Sequence, residues 1–161
     1  MPVNDSTITT LQVDNAEFLP HVKALINEGH SITLPLRGHS MRPFLKDGRD
    51  KALLAAPENI SVDDVVLAEV REGVYVLHRI VAISGKQITL LGDGNITPEH
   101  CLAGNICAKA IGFYRKGRTM PDSTNGMKWK LYSALWKRLR PVRRYLLFIL
   151  NPHIPNRFKR K

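Results

Sequence analysis

Short apolar blocks broken by Gly, Pro, Asp and Asn dominate the middle of the chain. Before them, Phe18, Val22, Leu25 and Ile26 follow an i, i+4, i+7, i+8 spacing, which predicts an amphipathic helix opening the domain. Asp14 with Glu17 reads as a variant capping box, and Gly29 as the helix end. Ser31 to Leu36 then reads as a strand running into Arg37-Gly38-His39-Ser40. Further strands are expected at Lys51–Ala55, Val65–Val70, Val74–Ile83, Gln87–Leu91 and Ile106–Tyr114, each rich in Val, Ile or Leu. No helix-length period interrupts them, so the expected fold class is mainly β: a compact antiparallel β domain.

From Gly117 to Gly126 the composition turns to Gly, Pro, Asp, Ser, Thr and Asn, which reads as a linker. Beyond it Trp129, Tyr132, Trp136 and Leu139 form one helical stripe, with Leu135 beside it. Pro141 breaks that helix and suits the first turn of another, which ends before Asn151-Pro152. The expected organisation is an N-terminal segment with a helix (1–30), a β domain (31–118), a linker (119–127) and a basic helical tail (128–161).

Charge sharpens this division. The net charge is +10, but the 11 basic residues from Lys128 onward have no Asp or Glu among them. The first 127 residues hold 13 basic and 14 acidic side chains. A near-neutral domain therefore carries a cationic tail. Met1 to Thr10 lacks the basic and apolar regions of a secretory signal. The longest apolar run, Tyr145 to Leu150, falls well short of the ~20 residues that span a bilayer. The expected location is cytoplasmic or peripheral at a membrane. Cys101 and Cys107 form no CxxC pair, and no metal-ligand spacing or cofactor motif occurs; buried thiols are the simplest reading, with a bridge between them the alternative.

Three segments carry candidate chemistry. In Gly38-His39-Ser40-Met41-Arg42-Pro43, a serine follows a strand that ends in glycine and precedes a proline turn. A serine hydroxyl is a weak nucleophile and needs a base within hydrogen-bond reach. Gly38 allows close backbone approach, and the turn N–H groups can face an oxyanion. His78 lies at the centre of Val74–Val81; with an ordinary pKa of ~6.5 it is largely neutral at pH 7 and can take the serine proton. Asp93, in Leu91-Gly92-Asp93-Gly94-Asn95, can reach a histidine on a neighbouring strand and fix its tautomer. His39 beside the serine reads as a solvated rim residue, and His21, His30, His100 and His153 have no partner pattern.

Taken together, the Ser-Met-x-Pro box, the Asp64-Val65-Val66-Leu67 strand, the His78-Arg79-Ile80-Val81 strand and the Gly92-Asp93-x-Asn95 turn resemble the signal-peptidase and LexA-like serine peptidases. The resemblance covers about residues 31–117. It is closest to the subgroup with a histidine base, as in endoplasmic-reticulum and archaeal-type signal peptidases; bacterial signal peptidase and LexA have lysine at the place of His78. It implies a serine endopeptidase with Ser40 as nucleophile and His78 as base, Asp93 and Glu99 as acidic partners, and Gly38 and Met41 at the oxyanion hole or substrate pocket. Where bacterial signal peptidase has a hydroxyl residue two before the nucleophile, this chain has Gly38, leaving backbone donors alone. The implied substrate is a peptide or the leader or signal segment of a precursor. The rival reading is a peptidase-fold binding module without activity.

The tail has three readings. Basic residues interleaved with Trp129, Tyr132 and Trp136 suit an anionic membrane surface, contacted through 128–150. The same stripe can instead pack on the β domain. Nucleic acid is the third partner class, since aromatic and basic surfaces also bind single strands.

Overall fold

The computed structural model describes residues 15–150. The chain runs through α1 (Asn15–Asn27), β1 (Ile32–Pro35), β2 (Lys51–Ala55), β3 (Val65–Arg71), β4 (Val74–Ser84), β5 (Gln87–Leu91), β6 (Glu99–Leu102), β7 (Ile106–Tyr114), β8 (Asp122–Ser123), α2 (Met127–Arg138) and α3 (Arg143–Leu150). Single 3-10 turns lie at Ala103–Asn105 and Arg140–Val142. The strands form one antiparallel sheet in the order β1-β2-β7-β3-β4-β5-β6, with β8 attached to β7. The mainly β expectation holds, and each of the strands expected between Lys51 and Tyr114 forms. The helix-end reading at Gly29 agrees too, with the His30 N–H donating to the Leu25 carbonyl at 3.1 Å. Asp14, like Met1 to Thr10 and His153, lies outside the described residues.

β3 is the central element. Val65, Val66, Leu67 and Ala68 are all buried, a continuous apolar run rather than an alternation, because both faces of the strand are covered. Successive side chains point to opposite faces. Val65 and Leu67 join a first core with Leu19, Val22 and Ile26 of α1, and with Phe113 and Trp129. Val66 and Ala68 join a second core with Ile80, Ile88, Leu90 and Cys101. Each such side chain contributes about 1.5–3 kcal/mol when fully buried.

Two elements depart from the sequence reading. β6 has a single buried residue, Cys101, in Glu-His-Cys-Leu, so its sequence carries no apolar block. It forms because β5 offers it an edge, in the register Leu90 opposite Glu99 and Ile88 opposite Cys101. The segment read as a linker contributes β8, which pairs with Gly112 and Phe113.

In the tail, the aromatic stripe packs on the β domain, the second of its three readings, and does not face outward. Trp129 and Trp136 are buried, with Trp129 stacked on Phe113 at 4.8 Å between centroids and Trp136 edge-on to Phe44 at 5.7 Å. Tyr132 lies against Phe44. This packing takes the two tryptophans out of solvent, so they are not interfacial anchors. Among the described residues no helix is long and apolar enough to cross a membrane.

Candidate active site

Adjacent residues on β4 serve two different networks because they point to opposite faces. His78 pairs across β3 with Val66, on the side of the second core; Arg79 pairs with Val65, on the side of the first. Both are almost fully buried.

His78 is held from two directions. Its Nδ1 lies 2.8 Å from Glu99 Oε2. Register explains the reach: His78 and Ile80 share a face, Ile80 opposes Leu90, and Leu90 opposes Glu99. The contact is short but off the N–H axis, since neither atom completes a well-aligned hydrogen bond. Glu99 is thus placed to act on the ring chiefly through its charge when the imidazole is protonated. Burial pushes the imidazole pKa below its ordinary value; Glu99, and more weakly Asp93, pull the other way without overcoming it. The ring is consequently neutral at pH 7, with a free nitrogen to accept a proton.

The other ring nitrogen faces the Ser40 turn. Gly92 is where they meet: a Cβ on Gly92 would stand 2.5 Å from the Ser40 carbonyl oxygen, 2.9 Å from Asn95 Nδ2 and 3.0 Å from His78 Nε2. The Ser40 carbonyl and the imidazole Nε2 can thus be no farther apart than two of those distances laid end to end. The Gly94 N–H donates to the same Ser40 carbonyl at 2.7 Å, tying the two turns together. Ser40 is half-buried, and among the described residues its hydroxyl makes no hydrogen bond. The expected hydrogen bond to His78 is therefore not formed in this state; the two groups are neighbours across Gly92. Unliganded catalytic pairs commonly show such loose geometry, and a hydroxyl reorients by rotation about its bonds.

Asp93 is not the partner of His78 that the sequence led us to expect. Its carboxylate forms a buried bidentate pair with Arg79, Oδ1 to Nε at 3.0 Å and Oδ2 to Nη2 at 2.8 Å. Tyr132 donates its hydroxyl to Oδ2 at 3.0 Å, and Trp136 Nε1 donates to the Asp93 carbonyl at 3.2 Å. Arg79 also donates through Nη1 to the Ser133 hydroxyl at 2.8 Å and the Asp63 carbonyl at 2.9 Å. A buried guanidinium needs a carboxylate, and Asp93 supplies it. Burial and the Asp93 charge push the Tyr132 phenol up, so it stays a donor. Arg143 of α3 donates to the Gly92 carbonyl at 2.5 Å and stacks over Trp136. The tail therefore clamps the Gly92–Gly94 turn against which Ser40 rests.

Two further expectations change. Gly38 has open space around its Cβ direction, so close approach is not its role; its φ of +83° is the reason for glycine. Its N–H donates to Asp47 Oδ1 at 3.2 Å and is not an oxyanion donor. The N–H groups of Ser40 and Met41 have no acceptor among the described residues, which leaves them for that task. The Met41 side chain is buried in the first core, where it packs.

Cys101 and Cys107 are free and buried, and burial pushes both thiols up. Among the described residues no group of His, Cys, Asp and Glu has the arrangement of a metal centre. No protein-family model matches the chain, and no curated protein matches it.

Proposed function

We propose that this chain is a serine endopeptidase of the signal-peptidase/LexA type, with Ser40 as nucleophile, His78 as general base and Glu99 as the acid that positions the imidazole. The observation that carries the reading is the placement of a buried, neutral imidazole between a carboxylate at Nδ1 and the Ser40 turn at Nε2. Asp93 is assigned to holding the turn through Arg79.

In the proposed reaction Ser40 Oγ attacks the scissile carbonyl carbon while its proton passes to His78 Nε2. The oxyanion is met by the Ser40 and Met41 N–H groups. His78 then returns the proton to the leaving amine as the C–N bond breaks. Water, activated by the same imidazole, frees the acyl group and restores Ser40. Glu99 stabilises the imidazolium that exists between these transfers. The substrate is a peptide segment of a precursor.

For the tail, we assign membrane contact to its outer face instead of its aromatic one. Met127, Leu131 and Leu135 recur every four residues of α2 and are exposed, as are Tyr145 and Ile149 of α3. Lys128, Lys130 and Arg138 are exposed on the same helix. This combination fits an anionic bilayer surface. With Trp129 and Trp136 buried, the two tryptophans are not open to stack on single-stranded nucleic acid, which supports the membrane reading over that one.

The reading is tested by a fluorophosphonate probe on the purified chain. Labelling of Ser40 that is lost in both Ser40→Ala and His78→Ala supports it. A folded wild-type protein that takes no label and cleaves no peptide favours the inactive binding module.

A further inference from the structure

Far from His78 in sequence, five cations converge on one concavity. Arg49 lies just before β2 and Lys51 opens it, and Arg115, Lys116 and Arg118 lie in the loop after β7. Thr33 of β1 completes the wall of a pocket of about 290 Å³. Two carboxylates answer these five cations. Asp50, fully buried, holds the Arg49 guanidinium with two bonds of 2.6 Å. Asp122 is shared by Arg118 and, at 3.5 Å, Arg115. Among the described residues no carboxylate pairs with Lys51 or Lys116. The pocket is therefore left with three uncompensated positive charges.

We propose that this pocket binds a compact phosphate-bearing anion. Like charges gathered in a concave site repel one another and focus a field that a multiply charged anion relieves. Arginine forks and lysine ammonium groups together match phosphate oxygens, the former by paired N–H donors and the latter as point charges. Arg49 is already pinned by Asp50, so its remaining donors are pre-organised and little rotamer freedom is lost on binding. A volume of about 290 Å³ suits one headgroup or small phosphate compound.

The same phosphate chemistry has two sources, a soluble compound or a lipid headgroup. The surroundings favour the headgroup. Met120, 76% exposed, sits two residues beyond Arg118, and Met127, 86% exposed, lines the adjoining cleft that shares Arg115 and Arg118. Apolar tips beside a cationic hollow suit a phosphate held at a bilayer surface. The inference does not depend on peptidase activity.

Titration calorimetry of the full chain with inorganic pyrophosphate at low salt tests it. Binding is expected, weakened about tenfold or more in Lys51→Gln/Lys116→Gln and unchanged in Arg71→Gln/Lys86→Gln, exposed cations that do not line the pocket. Thermal melts of both variants check that the fold is retained. No binding by the wild type, or equal weakening by both pairs, overturns the site, the latter because it would mean diffuse attraction to a basic surface. Vesicles containing phosphatidic acid separate the sources. Vesicle binding that falls in Met120→Asp/Met127→Asp, with pyrophosphate binding intact, identifies a headgroup site. Pyrophosphate binding without vesicle binding keeps the phosphate site and overturns its assignment to lipid.

Discussion

His78 Nδ1 and Glu99 Oε2 stand 2.8 Å apart, although 20 residues and a whole strand separate them along the chain. The imidazole is almost fully buried, whereas the Glu99 side chain keeps about a third of its surface in solvent. Solvent screening on that side explains how burial outweighs the carboxylate and keeps the ring's pKa low.

Glu99→Gln removes the charge that stabilises the imidazolium while keeping the shape. A fall in kcat of ~10²-fold or more is expected, on the scale of general acid–base contributions. The sign of the pH effect follows. Activity needs the neutral ring, so it is lost as pH falls through the His78 pKa. Glu99 raises that pKa, so its removal moves the acid limb of the kcat/KM profile to still lower pH. A profile unmoved by the substitution would show that Glu99 does not act on the ring.

Gly92→Ala places a methyl carbon 2.5 Å from the Ser40 carbonyl oxygen, a backbone atom that cannot swing aside, and 3.0 Å from His78 Nε2. The Ser40 turn must move away from the histidine. Peptide cleavage is expected to fall by ~10²-fold, the scale of an ångström-level misplacement of reacting groups. Gly104→Ala, where nothing lies within 4 Å, serves as the control and leaves activity unchanged.

Asp93→Asn leaves the Arg79 guanidinium buried without a counter-ion. A loss of about 3–5 kcal/mol of stability is expected, read from urea denaturation. The variant should lose its activity with its fold. Full stability with activity abolished would instead return Asp93 to the role of a histidine partner.

Much of this was legible beforehand, for identifiable reasons. The apolar blocks of β2, β3, β4, β5 and β7 mark strands because they line two cores; His78 stood out as a polar residue inside one such block, and Ser40 as the serine between a strand-ending glycine and a proline turn. β6 was not legible, since only Cys101 of its four residues is buried and its pairing comes from β5. The choice between Asp93 and Glu99 depends on strand register, which motif spacing does not encode. An arginine directly after the histidine was the available signal: its opposite orientation demands a separate acid, and Asp93 is that acid. The tail stripe reads the same whether it meets lipid or protein; Phe44 and Phe113, its partners, lie far away in sequence.

Truncation after Gly126 tests that packing. It removes Trp129, Tyr132, Trp136 and Arg143, and with them the hydrogen bonds to Asp93 and Gly92. The truncated chain is expected to lose cooperative thermal unfolding. In the full chain, Leu131→Glu/Leu135→Glu leaves the melt within a few degrees and weakens co-sedimentation with anionic vesicles. Retained vesicle binding would exclude the outer face as the contact.

The central claim is that Ser40 is a nucleophile activated by His78. Mass spectrometry of the fluorophosphonate-treated protein tests it most directly, with the pH dependence of labelling followed for the wild type and for His78→Ala. The account predicts a single adduct on Ser40 that forms readily at neutral pH, slows as pH falls and is lost in His78→Ala. An adduct on another residue, or labelling of Ser40 at the same rate in His78→Ala, would contradict it.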